Sequence, residues 1–133
     1  MLRNWKPEPN AILVTVLTAA LLVFLVTLWP RPEPALGKIA FALSGVDEEG
    51  LYGPADGRRA RDYEFCIPDT EAALTEVRAI DPTIQITRAR GRIGCSVDQA
   101  LAIGNTHQRD WRDVLTRLAR LDYVERIEPH YAE

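Results

Sequence analysis

The chain has 133 residues, with 16 Lys and Arg against 19 Asp and Glu for a net charge of −3, two cysteines and two histidines. The mild acidic balance excludes a broadly basic nucleic-acid-binding surface. The length leaves room for one compact domain beyond any membrane segment.

Residues 1–10 form a short leader that carries Arg3 and Lys6. Residues 11–29, AILVTVLTAALLVFLVTLW, hold no charge, proline or glycine. At ~1.5 Å per residue the run extends about 28 Å, close to the hydrocarbon thickness of a bilayer, so it is predicted to be a transmembrane helix with Trp5 and Trp29 at the membrane interfaces. A cleaved secretory signal is the competing reading, with small residues at Ala35 and Gly37. The length of the run favours an uncleaved anchor, because signal cores usually span about 7 to 15 residues. Lys and Arg flank the run evenly, Arg3 and Lys6 before it and Arg31 and Lys38 after it. The charge of the amino terminus and the cysteine pair decide the orientation: leader in the cytoplasm, the remainder periplasmic, lumenal or extracellular.

Residues 30–36 are a proline-rich spacer, extended and semi-rigid. The domain proper is expected over residues 37–133. Residues 38–44 alternate Ile39, Phe41 and Leu43 with small residues and predict a first strand. Residues 45–62 carry glycines and a proline and are long for a connection, so they form a hairpin tip or a binding loop. A strand follows over residues 63–67, with Tyr63, Phe65 and Ile67 on one face. Asp69 is placed as N-cap of a helix bearing Ala73, Val77 and Ile80, stopped by Asp81-Pro82. Strands are expected over residues 84–87 and 99–103, with the glycines of a turn between them. Asn105 and Gln108 resemble a capping box ahead of an amphipathic helix with Trp111, Val114, Leu115, Leu118 and Leu121. Residues 123–127 complete the set. From Tyr63 onward the order is β-α-β-β-α-β, so the fold class is α+β, a transmembrane helix followed by a ferredoxin-like antiparallel sheet with an extra N-terminal strand.

In that topology the strand ending near Cys66 and the strand preceding Cys95 run parallel, which brings both cysteines to one end of the sheet and predicts a disulfide. Two buried thiols are the alternative if the domain faces the cytoplasm. Arg88, Arg90 and Arg92 alternate and would share a face if the segment stays extended. They and four residues of the long loop, Leu51, Tyr52, Arg58 and Arg59, are the candidate partner-binding residues. The bland reading is a charged edge strand beside a self-paired loop, since Asp47, Glu48 and Glu49 stand opposite the arginines. Asp47 to Glu49 lack the ligand spacing of a calcium loop. His107 and His130 lack a zinc partner at the usual spacing and read as surface or capping residues. No catalytic residue, metal or cofactor is expected.

The segment WRDVLTRLARLDYVERIEPHY resembles the end of subtilase propeptides, where a helix and a short strand complete the same topology. YEFCIP, EVRAIDPTIQ, GRIGC and AIGNTHQ, together with that segment, are similar to small uncharacterised membrane-anchored or secreted proteins of cyanobacterial type, a resemblance that implies no activity. The expected function is therefore non-catalytic: a single-span membrane protein whose outer domain binds another protein, as an accessory subunit of a membrane complex. The alternative is a membrane-tethered, propeptide-like protease inhibitor or chaperone module.

Overall fold

The computed structural model describes residue 6, residues 8–28 and residues 35–131, with side chains described only to Phe24 in the first segment. Trp5, Trp29 and spacer residues 30–34 lie outside the described residues. The chain divides into two units, Met1–Pro32 and Glu33–Glu133.

In the first unit, helix α1 spans Pro9–Leu28. Its large apolar side chains are exposed on every side, from Ile12 at 52% to Val23 at 65%. Two of its threonines bond within the helix: Thr15 Oγ1 donates to the Ala11 carbonyl at 2.8 Å and Thr18 Oγ1 to the Val14 carbonyl at 3.0 Å. Among the described residues no helix is long and apolar enough to cross a membrane.

The second unit is α+β, and its strands pair in antiparallel fashion throughout. Strands β1 (Leu51–Tyr52) and β2 (Arg59–Ala60) form a small ribbon. Strand β3 (Asp62–Pro68) leads into α2 (Glu71–Ile80) and β4 (Gln85–Thr87). Strand β5 (Gln99–Asn105) leads into α3 (Trp111–Arg120) and β6 (Glu128–Pro129). The four-stranded sheet has the order β4-β5-β3-β6. Pro129, which has no N–H to give a ladder, sits in an outer strand where that loss is tolerated.

Alternation along β3 decides the two faces of the sheet. Tyr63, Phe65 and Ile67 pack with Ala100 and Ala102 of β5, Val77 of α2, and Trp111, Leu115 and Leu118 of α3 in the main core. Glu64 and Cys66 point the other way, toward Leu101 and Ile103 and beneath the β4–β5 connection.

Several sequence expectations are corrected. Residues 38–44 are not an added strand: they begin in a 3-10 turn, Leu36–Lys38, and contribute a single parallel bridge, Ile39 to Ile127. Their alternation instead brings Ile39, Phe41 and Leu43 against the core without a ladder. The cap of α2 is Thr70, whose side chain accepts from the Ala73 N–H, while Asp69 is engaged by Arg88 at 3.3 Å. Asn105 and Gln108 do not cap α3, whose first turn follows Asp110 in a left-handed conformation. Asn105 Oδ1 instead accepts from the His107 N–H at 2.8 Å. Residues 123–127 are not the last strand: β6 is Glu128–Pro129, and of the expected residues only Ile127 makes a bridge, while Tyr123 turns toward α2 and donates its hydroxyl to Glu76 Oε2 at 2.8 Å.

Gln108 belongs to a buried network around Asp81. The carboxylate of Asp81 accepts from the Tyr63 hydroxyl, from Thr83 N–H at 2.8 Å and Oγ1 at 2.7 Å, and from Gln108 Nε2 at 3.0 Å. This satisfies a charge that is fully shielded from water. Gly104 permits the approach, since a Cβ there would lie 2.5 Å from both Asp81 Oδ2 and the Tyr63 ring. Burial, followed by the neighbouring Asp81 charge, pushes the Tyr63 hydroxyl far above its ordinary range. A raised folded-state value contributes stability that is complete below the unfolded tyrosine value of about 10 and is lost as pH rises past it. Tyr123, raised by partial burial and by Glu76, acts with the same sign. The expected result is a Tm that begins to fall above about pH 10, with a shallower fall in Tyr63→Phe. Equal alkaline slopes in the two proteins would remove this account.

Candidate functional site: a buried Glu64–His130 pair

The β4–β5 connection, residues 88–98, folds back over the sheet face opposite the helices. Several attachments hold it there, among them the Asp69 N–H to the Asp98 carbonyl at 3.1 Å. The Cys66–Cys95 disulfide, with Cα atoms 5.4 Å apart, joins it to β3. Ile93, itself buried, donates its N–H to Glu64 Oε1 at 2.9 Å and accepts from Arg126 Nη2 at 2.7 Å. Arg126 is in turn paired with Glu128 at 3.0 Å. Arg88 reaches Asp69 at the end of the sheet. Gly91, at φ +64°, makes the close approach possible: a Cβ there would lie 2.8 Å from Leu101 and 3.2 Å from Glu64 Oε1.

Beneath this cover Glu64 is 1% exposed, unusual for a carboxylate unless it is partnered. Its second oxygen, Oε2, lies 2.6 Å from His130 Nδ1. His130 arrives there because it directly follows β6 and continues the ladder, donating its N–H to the Asp62 carbonyl at 2.9 Å. With Nδ1 engaged by Glu64, the ring is fixed in orientation and Nε2 is the nitrogen left for a ligand.

The pair lines a pocket of about 400 Å3. Leu101, Ile103 and Ala89 supply apolar surface, and Thr87, Arg92 and Tyr131 supply the polar part. The Arg92 guanidinium lies 6.0 Å from the centroid of the Tyr131 ring. No group of three or more metal-ligating side chains occurs among the described residues. Chemically, the arrangement can bind and orient: an imidazole held from behind by a buried carboxylate, an adjacent guanidinium, and an apolar lining.

The residues singled out by sequence are distributed as follows. Cys66 and Cys95 form the expected bridge and are not free thiols. Arg88, Arg90 and Arg92 do not make one extended row, because β4 ends at Thr87 and residues 91–94 turn. Arg88 pairs with Asp69, Arg90 donates to the Cys95 carbonyl at 3.2 Å, and only Arg92 lines the pocket. Arg58 is paired with Asp47 and, at 3.5 Å, with Glu49. Leu51 and Tyr52 form β1 and Arg59 lies on β2, so these three belong to the ribbon and not to the pocket. The Tyr52 ring is stacked against Arg61, 4.1 Å from its guanidinium carbon. His107 is exposed, with Nδ1 3.1 Å from the Glu49 carbonyl.

Sequence reasoning missed Glu64 and assigned His130 to the surface. One signal was available: Glu64 shares a strand face with Cys66, and a disulfide from Cys66 to a following loop must draw that loop over Glu64. Comparison of the chain with known protein families, with curated proteins and with solved structures finds no match.

Proposed function

We propose that this chain is a membrane-anchored, non-catalytic docking subunit whose second unit, on the outer side of the membrane, is a ferredoxin-like domain that binds another protein. The observation that carries the reading is α1. A helix that exposes large apolar side chains on every side and bonds the hydroxyls of Thr15 and Thr18 internally is suited to lipid, where backbone and side-chain polar groups must find partners within the protein. Leu25 to Trp29 extend the apolar run in the sequence.

Two further observations support the outer location and the fold. A disulfide in a domain of this size suits an oxidising compartment. The order β4-β5-β3-β6, with a helix following β3 and another following β5, is that of the split βαβ arrangement. The propeptide-like alternative gains less support, since the sheet face that would meet a protease carries the disulfide-held cover.

The test is biochemical and uses the full chain in its native membrane. The protein should remain in the pellet after alkaline carbonate extraction, and protease added to the outer side of sealed cells or vesicles should digest the domain. Release by carbonate overturns the anchor, and digestion only after the membrane is opened overturns the orientation.

A further inference from the structure

We infer that the peptide bond between Arg59 and Ala60 is a processing site for an arginine-specific serine protease, and that the cut leaves the domain assembled as two chains with no covalent link between them. The small ribbon and its surroundings carry this, independently of the docking reading above.

Exposure selects the segment. Residues 53–59 are exposed without interruption. The ribbon that presents them has two residue pairs, Leu51 with Ala60 and Tyr52 with Arg59, and its tip is closed by a turn in which the Gly57 N–H meets the Pro54 carbonyl at 2.9 Å. A protease takes its substrate as an extended strand, and exposed loop tips with few bonds to open are where nicking concentrates.

Side-chain contacts then select the bond. The run GRRARD places three arginines within four positions, Arg58, Arg59 and Arg61. Arg58 is paired with Asp47 and Glu49. The Arg61 guanidinium lies over the Tyr52 ring, 4.1 Å from its centroid, with Nε shielded from solvent. Among the described residues the Arg59 guanidinium enters neither an ion pair nor a hydrogen bond, so it is free to fill the acidic specificity pocket of a trypsin-type enzyme. Hydrolysis adds one water across the bond and leaves a carboxylate on Arg59 and an ammonium group on Ala60.

Arginines elsewhere are less open to cleavage. Arg78 lies within α2. Arg92 and Arg126 are each followed by a buried isoleucine, Ile93 and Ile127, and Arg88 and Arg90 belong to the disulfide-held cover.

Both sides of the cut stay bound. Upstream, Trp111 Nε1 donates to the Asp47 carbonyl at 2.8 Å and Arg112 Nη2 to the Val46 carbonyl at 2.9 Å, while Ile127 exchanges backbone bonds with Lys38 and Ala40. Thr106, fully buried, clasps the two sides together: its Oγ1 donates to the Gly50 carbonyl at 2.6 Å and accepts from the Arg61 N–H at 2.8 Å. The Cys66–Cys95 disulfide lies wholly downstream of the cut, so these noncovalent contacts alone unite residues 1–59 with residues 60–133.

The experiment treats the full chain in mild detergent with limiting trypsin. The first new amino terminus should be Ala60. The two fragments should separate on a denaturing gel without reductant, yet elute together in size-exclusion chromatography in the same detergent, with an unchanged circular dichroism spectrum. Arg59→Gln should slow the first cut by about ten-fold or more, because the remaining Arg58 is held by its carboxylates, and Arg58→Gln should change the rate by less than about two-fold. Both substitutions are on exposed residues outside the core, so the fold is not challenged.

A first cut at any other bond overturns the site, as does a rate in Arg59→Gln within about three-fold of the parent. Separate elution of the fragments overturns the two-chain product. Resistance to trypsin at about one tenth of the protein mass, under conditions that digest the heat-unfolded chain, overturns the proposal as a whole.

Discussion

Replacing both cysteines, Cys66→Ser with Cys95→Ser, should lower the stability of the domain by about 3 to 4 kcal/mol. The bridge closes a loop across a sequence separation of 29 residues, and the chain-entropy model gives roughly that value for a loop of this length. For a domain of about 100 residues each kcal/mol shifts Tm by ~4 to 8 °C, so the expected fall exceeds 10 °C. Measured by near-ultraviolet circular dichroism on the full chain in mild detergent, reduction of the parent with excess dithiol should reproduce the fall. The loss should also be local: hydrogen exchange at residues 90–95 should accelerate well before the amides paired between β3 and β5, which belong to the main core. A fall below about 3 °C would show that the noncovalent attachments of Ile93 suffice, and uniform acceleration across the sheet would show that the cover and the core unfold together.

The bridge was legible in the sequence because it follows from topology. Once a strand, a helix and a second strand are read in order after Tyr63, the first and second strands must run parallel, and the end of one lies near the exit of the other. Helix α3 was legible for a more local reason, since Trp111, Val114, Leu115 and Leu118 recur at helical spacing and all four are buried. What alternation alone overstated was the strand content. Residues 38–44 turn every second side chain, Ile39, Phe41 and Leu43, against the core as a strand would, each only partly buried, yet only Ile39 makes a bridge. Period two reports which side chains are buried, and a ladder needs a partner edge besides.

The polar interior was illegible for the opposite reason, because its partners are far apart in the chain. Gln108 reads as half of a capping box with Asn105, and in the folded protein it reaches Asp81, 27 residues away. His130 and Glu64 are separated by 66 residues. A lone histidine near a chain end carries no local signal of burial, and its role is set by the strand that delivers it. The arginine row illustrates the same limit in reverse. Three evenly spaced residues were read as one surface, and because the strand ends at Thr87 and residues 91–94 turn, they meet three different groups: Asp69, the Cys95 carbonyl and the Tyr131 ring.

Glu64→Ala should be the most damaging single substitution outside the apolar core, lowering stability by about 3 to 5 kcal/mol, the usual cost of removing one partner from a buried pair. Three losses combine. The Ile93 N–H, in a buried residue, loses its acceptor; His130 Nδ1 loses its partner; and a side chain 1% exposed leaves a void between the sheet and its cover. Glu64→Gln keeps the shape and one acceptor oxygen, which can still receive the Ile93 N–H, but turns an amide NH2 toward His130 Nδ1 in place of a carboxylate oxygen, so its loss should be smaller, about 1 to 3 kcal/mol. His130→Ala removes the pair from the other side at a site that is partly open to solvent, and should cost less than Glu64→Ala. Because Glu64 is 1% exposed and one of its two bonds is to the Ile93 backbone N–H, raising the ionic strength from about 0.1 to 1 M should leave the difference between parent and Glu64→Ala nearly unchanged, unlike a surface ion pair. A double-mutant cycle of Glu64→Ala with His130→Ala should return a coupling energy of about 1 to 3 kcal/mol. If Glu64→Ala melts within about 3 °C of the parent, or if the cycle shows no coupling, the buried pair does not organise this face. The pocket would then have lost the fixed imidazole on which its chemistry depends.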